Sequence, residues 1–104
     1  MKTQIISEHK IELSELCKKN GVKALFAFGS VVSDKFDEVE SDIDFIVEID
    51  NSLDPLLIGE HILNLWNGLE KAFNRPVDLL RMENIRNPIF REQIDKSKVL
   101  VYAA

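Results

Sequence analysis

The sequence holds one cysteine, Cys17, which excludes an internal disulfide and suits a reducing compartment. With no second ligand or catalytic partner near it, Cys17 reads as a small buried residue of the first helix. No apolar run approaches the roughly 20 residues of a membrane span. Met1-Lys2-Thr3-Gln4 is not followed by the apolar core of a secretion signal. Basic residues are outnumbered, 13 against 18 acidic, giving a net charge of −5. They do not gather on one segment, whereas binding a nucleic-acid backbone needs a concentrated basic surface. His9 and His61 have no spacing to Cys, Asp or Glu that suggests a metal site. Repeats, low-complexity stretches and linkers are missing too. The expectation is a soluble cytoplasmic protein with no membrane and no direct nucleic-acid contact. Its 104 residues (1–104) should form one domain around a single core.

The segments that are present alternate in type. Ser7 is a candidate cap for a helix running to about Asn20, with Ile11, Leu16 and Cys17 inward and Gly21 as its stop. Residues 23–28 form a short apolar strand. Residues 42–49 form a second, with Ile43, Phe45, Val47 and Ile49 on one face. Asp54-Pro55 opens the clearest helix, where Ile58, Ile62, Leu65, Trp66, Leu69, Ala72 and Phe73 make one apolar stripe. Asn74-Arg75-Pro76 ends it. Residues 77–82 read as a third strand, Asn87-Pro88 starts a short helix, and 98–102 is a last strand. This order predicts an α/β fold of the α+β type: a small mixed sheet with helices mainly on one face. The carboxylates should lie on the opposite, open face. Residues 30–41 are short for a helical crossover, so strand polarity there stays open.

The segment 28–47, FGSVVSDKFDEVESDIDFIV, carries the chemistry. One strand ends in Gly29-Ser30, a turn whose backbone can closely approach a phosphate. After eleven intervening residues, Asp42-Ile43-Asp44 opens the next strand. Side chains two apart on a strand share a face, about 6–7 Å from each other. Two carboxylates at that spacing repel by about 2–3 kcal/mol at an effective dielectric near 20. A divalent cation removes this cost, and paired carboxylates are the usual way to hold Mg²⁺ with a substrate's phosphates. Asp78, facing away from Val77 and Leu79, can join them if its strand lies beside the second. Carboxylates on adjacent elements suit two-metal nucleotidyl transfer, in which a hydroxyl attacks the α-phosphorus and pyrophosphate departs in line. The site therefore reads as one for a metal-bound nucleoside triphosphate.

These residues resemble the nucleotidyltransferase superfamily that includes DNA polymerase beta and kanamycin nucleotidyltransferase, and most closely its minimal nucleotidyltransferase group. The shared pattern is a strand ending Gly-Ser, about ten residues, Asp-apolar-Asp-apolar, and a third Asp on a later strand. The resemblance implies triphosphate contacts at Gly29 and Ser30. It makes Asp42, Asp44 and Asp78 the catalytic carboxylates and the ligands of two Mg²⁺ ions. It departs after Ser30, where family members often carry Arg and Gly and this chain has Val31-Val32-Ser33-Asp34-Lys35. Asp34, Asp37, Glu38 and Glu40 make the loop acidic, which opposes a triphosphate unless metals screen it.

Two functions follow. The resemblance implies an enzyme that moves AMP from ATP, or another nucleoside monophosphate, onto a hydroxyl of a small helical HEPN partner, as the antitoxin of a HEPN toxin. The alternative is a non-catalytic antitoxin that neutralises a HEPN-type ribonuclease by contact, for which an acidic surface suits a basic partner. The closing strand could leave an unpaired edge, so an oligomer is also considered.

Overall fold

The structure, a computed structural model, describes residues 4–32 and 42–104, apart from the side chains of Ser30 and Val32. The acidic segment with Asp34, Lys35, Asp37, Glu38 and Glu40 lies outside the described residues. The elements are α1 (Gln4–Glu8), α2 (Lys10–Lys19), β1 (Val22–Phe28), β2 (Ile43–Ile49), α3 (Pro55–Phe73), β3 (Val77–Leu80), α4 (Pro88–Ser97) and β4 (Val99–Ala103). Single 3-10 turns follow β1 at Gly29–Val32 and β3 at Met82–Asn84. The strands form one mixed sheet in the order β3-β2-β1-β4. β1 runs antiparallel to both β2 and β4, which answers the open polarity, and β2 and β3 are parallel through the α3 crossover.

Helices α2 and α3 cover one face. Leu13 and Cys17 of α2 meet Leu65, Leu69 and Phe73 of α3 over Leu25, Ala27, Ile43, Phe45 and Val47 of the sheet. The α3 stripe is the predicted one: Ile58, Leu65, Leu69 and Phe73 are buried, and Ile62, Trp66 and Ala72 pack against the core. Its ends follow from chemistry. The Asp54 carboxylate accepts the Leu56 N–H at 3.0 Å, Pro55 takes the first turn, and Asn74 closes the helix in the left-handed region at φ 53°.

The first helix differs from expectation. It breaks at His9 into α1 and α2, and Ser7 sits inside α1 rather than capping it. His9 Nδ1 bonds the Ile5 carbonyl at 2.9 Å and its ring lies 4.8 Å from Phe73. The break resets the phase of the second piece, so Leu13 and Cys17 point inward while Ile11 is 77% exposed. Burial pushes the Cys17 thiol up to about 12, which keeps it an inert core residue.

The opposite face is not fully open. Ile46, on the same face as Asp44, is buried with Phe28, Ile85 and Ile94 beneath α4. Helix α4 starts where Asn87 Oδ1 accepts the N–H groups of Ile89 and Phe90, and its packing leaves a recess instead of a flat exposed sheet.

Helix α3 also fixes β3, a four-residue edge strand. The Glu70 carboxylate accepts the Val77 N–H at 3.0 Å, and Trp66 Nε1–H donates to the Val77 carbonyl at 2.6 Å. Both backbone groups of the residue before Asp78 are thereby held. Glu70→Ala should lower the unfolding free energy by about 1–3 kcal/mol, because it strands a partly buried N–H. Denaturant unfolding measures this, and an unchanged midpoint would mean that the clamp contributes nothing.

Candidate functional site

The sheet register assembles the site. Phe28 pairs with Asp44 across β1 and β2, and Asp44 pairs with Asp78 across β2 and β3. The three residues form one row, so Asp44 and Asp78 are direct neighbours across strands spaced about 4.8 Å apart. That is closer than two residues along a single strand. The intimate pair is thus Asp44 with Asp78, where sequence spacing pointed first to Asp42 with Asp44. Asp42 is exposed just ahead of β2, where the next residue's N–H reaches the Pro76 carbonyl at 3.3 Å.

The electrostatics rank these neighbours in the same way. The Asp44 carboxyl is pushed up from 3.8 to about 6. Burial contributes most, then a hydrogen bond to Asp78, then the charge of Asp78, and last that of Asp42. Half-burial and a like-charged neighbour both disfavour the ionised form.

Gly29 abuts this pair. It adopts φ 73°, a region that L side chains rarely occupy, and a Cβ built on it would stand 2.6 Å from Asp44 Oδ2. Sequence reasoning assigned the glycine to phosphate approach; the structure adds that the Asp44 carboxylate itself occupies the space. Ser30 continues the chain in the 3-10 turn, and its side chain lies outside the described residues.

Gly29, Asp44 and Asp78 open into a cleft of about 560 Å³. Its far wall is α4, through Phe90, Gln93, Ile94 and Ser97. These positions recur at three- and four-residue spacing and so share one face of the helix, which the sequence pattern marks only as a short helix. Asp42 does not line the cleft. Among the described residues, no three His, Cys, Asp or Glu side chains converge as a preformed cation cage. A carboxylate pair beside an open cleft nevertheless fits Mg²⁺, which is typically held by one or two carboxylates together with substrate phosphates.

The family model described as polymerase beta nucleotidyltransferase matches residues 11–104. The chain belongs to that family. Nucleotidyltransferases of this family generally use divalent metal ions. Among curated proteins no sequence relative is found. Solved structures share the fold at low identity. A toxin–antitoxin complex with AMP-PNP contains a chain 19% identical, with TM-score 0.67, covering 91% of this chain and 73% of that one. A protein named as a minimal nucleotidyltransferase is 23% identical with TM-score 0.67, covering 95% of each chain. A third match comes from the tri-AMPylated Shewanella oneidensis HEPN toxin in complex with MNT antitoxin. It is 18% identical, with TM-score 0.61, over 95% of this chain and 73% of that one. Among the described residues no helix is long and apolar enough to cross a membrane.

The pair sets a pH dependence on the metal-free nucleotidyltransferase. Between the ordinary aspartate value of 3.8 and about 6, the folded state holds a proton on Asp44 that the unfolded chain releases. Stability from this group therefore falls as pH rises through that window and stays low above it. Asp44→Asn should raise the thermal midpoint at about pH 8, and the gain should fade towards pH 4. Thermal unfolding of both proteins in chelator measures it; no gain at the higher pH would contradict the assigned strain. Gly29→Ala should act in the other direction, costing about 1–3 kcal/mol through backbone strain and displacing the Asp44 carboxylate.

Proposed function

We propose that this nucleotidyltransferase transfers AMP from ATP to a hydroxyl of a small helical HEPN-type protein, and so acts as that protein's antitoxin. The observation that carries the reading is the in-register pairing of Asp44 and Asp78 beside Gly29, at one end of a cleft in a chain of this family. The solved complexes of similar fold support the choice of nucleotide and partner, since they are named for AMP-PNP, for an AMPylated HEPN toxin and for its MNT antitoxin.

In this reading Asp42, Asp44 and Asp78 would hold two Mg²⁺ ions, and Gly29 and Ser30 would present backbone to the triphosphate. The ions, when bound, neutralise the phosphates and acidify the attacking hydroxyl. A ligating carboxylate must be ionised, as Asp44 is above about pH 6. Asp78, exposed at the cleft, accepts the proton of the acceptor hydroxyl. The hydroxyl oxygen bonds to the α-phosphorus while the bond from that phosphorus to the bridging oxygen breaks, and the electron pair leaves with pyrophosphate. Helix α3 serves as the positioning element, because Glu70 and Trp66 hold the residue next to Asp78.

A second reading, neutralisation of the partner by contact alone, draws on the net charge of −5 and the acidic residues after Ser33. One experiment separates the two. The purified pair is incubated with α-labelled ATP and Mg²⁺ and the chains are resolved. Transfer predicts label on the partner, lost in the Asp42→Asn/Asp44→Asn double variant together with Mg²⁺-dependent ATP binding. Asp78→Asn should lower transfer by orders of magnitude while sparing much of the nucleotide affinity. A partner that stays unlabelled but is still inhibited would sink the enzyme reading and leave contact alone.

A further inference from the structure

The cleft has two chemically different ends. One is the carboxylate pair with Gly29, suited to metal ions and phosphates. The other is a wall from α4 that sets Phe90 and Ile94 beside Gln93 and Ser97, and nothing in phosphoryl chemistry calls for its aromatic ring. Phe90 is the conspicuous member. It is a large apolar side chain left 42% exposed on the wall of the cleft. Its ring meets that of Phe28 near edge-on, with centroids 6.5 Å apart and planes at 69°. Phe28 is 7% exposed and belongs to the row of Asp44 and Asp78. The contact thus braces Phe90 from the same strand row that carries the carboxylates, without covering its ring.

We infer that Phe90 is the platform on which the base of the bound nucleotide stacks. This rests on the nucleotide reading above and deepens it. The occupant follows from continuity: a triphosphate at Asp44 and Asp78 delivers its nucleoside into the same cleft, whose volume of about 560 Å³ falls in the range of small-molecule sites. A planar, uncharged ring is what an exposed, braced phenyl recognises, and every base offers a π-face, so the platform alone selects no particular base. Gln93, on the same face of α4, makes no side-chain hydrogen bond among the described residues. Its amide offers donors and an acceptor to the edge of a stacked base.

The test compares two probes, a non-hydrolysable ATP analogue and inorganic tripolyphosphate, each with Mg²⁺, by calorimetry. Phe90→Ala and Phe90→Leu should weaken the analogue by about tenfold, in line with the worth of one base stack, and leave tripolyphosphate unchanged. Phe90→Trp should keep analogue affinity at or above that of the original protein. Leucine preserves apolar packing without a π-face, so it separates stacking from simple support of the fold. Equal weakening of both probes, or of neither, would overturn the platform. So would variants with intact analogue affinity and reduced transfer at saturating ATP, which would place Phe90 on the acceptor's side. If the unmodified protein binds neither probe, it is the nucleotide reading that fails, an outcome distinct from a failed platform on a protein that binds both.

Discussion

Two carboxylates forced to lie side by side are the constraint on which this molecule turns. Asp44 and Asp78 face each other across parallel strands, and burial together with their mutual contact lifts Asp44 to about 6. The metal-free fold carries this strain through the rest of its structure. The α2–α3 face supplies a continuous apolar core, and the other face adds a smaller one under α4. Between them the cores hold β2 so that Asp44 cannot turn away from its neighbour. A cation would turn the same proximity from a cost into a binding site, which is why the arrangement suits a nucleotidyltransferase.

The surroundings of the pair are fitted to it. Gly29 is glycine because its backbone is left-handed and because Asp44 fills the volume of a side chain. Val77 is held at both backbone groups by α3, so the short edge strand that carries Asp78 does not depend on sheet pairing alone. Helix α4 closes the cleft from the far side and brings Phe90 against Phe28, which sits in the carboxylate row. The site is thus built from three strands, a turn and two helices, and it is positioned by elements distant in sequence from its acidic residues.

Much of this was legible in the chain. The alternating set Ile43, Phe45, Val47 and Ile49 and the apolar stripe of 58–73 mark the main buried face, and capping residues such as Asp54 and Asn87 state where helices begin. The grouping of Gly29, Asp44 and Asp78 follows from strand ends and faces. What was not legible depended on tertiary packing. The helix breaks at His9, whose ring is seated on Phe73, far along the chain, a contact that local sequence does not display. The burial of Ile46 and the role of Trp66 needed the placements of α4 and of Val77, respectively. The ranking of Asp78 over Asp42 as the partner of Asp44 needed the β2–β3 register, which a sequence without its pairings does not contain.

The central claim, that the Asp44–Asp78 pair is the seat of metal-bound nucleotide, can be mapped directly. Mn²⁺ with a non-hydrolysable ATP analogue is titrated into isotopically labelled protein, and paramagnetic broadening of the amide resonances is followed. The account predicts that Gly29, Asp44 and Asp78 broaden first, while the groove between α2 and α3, lined by Glu15, Gly68 and Lys71, stays sharp. Broadening centred on that groove, or spread evenly over the acidic surface with the carboxylate pair unaffected, would contradict it.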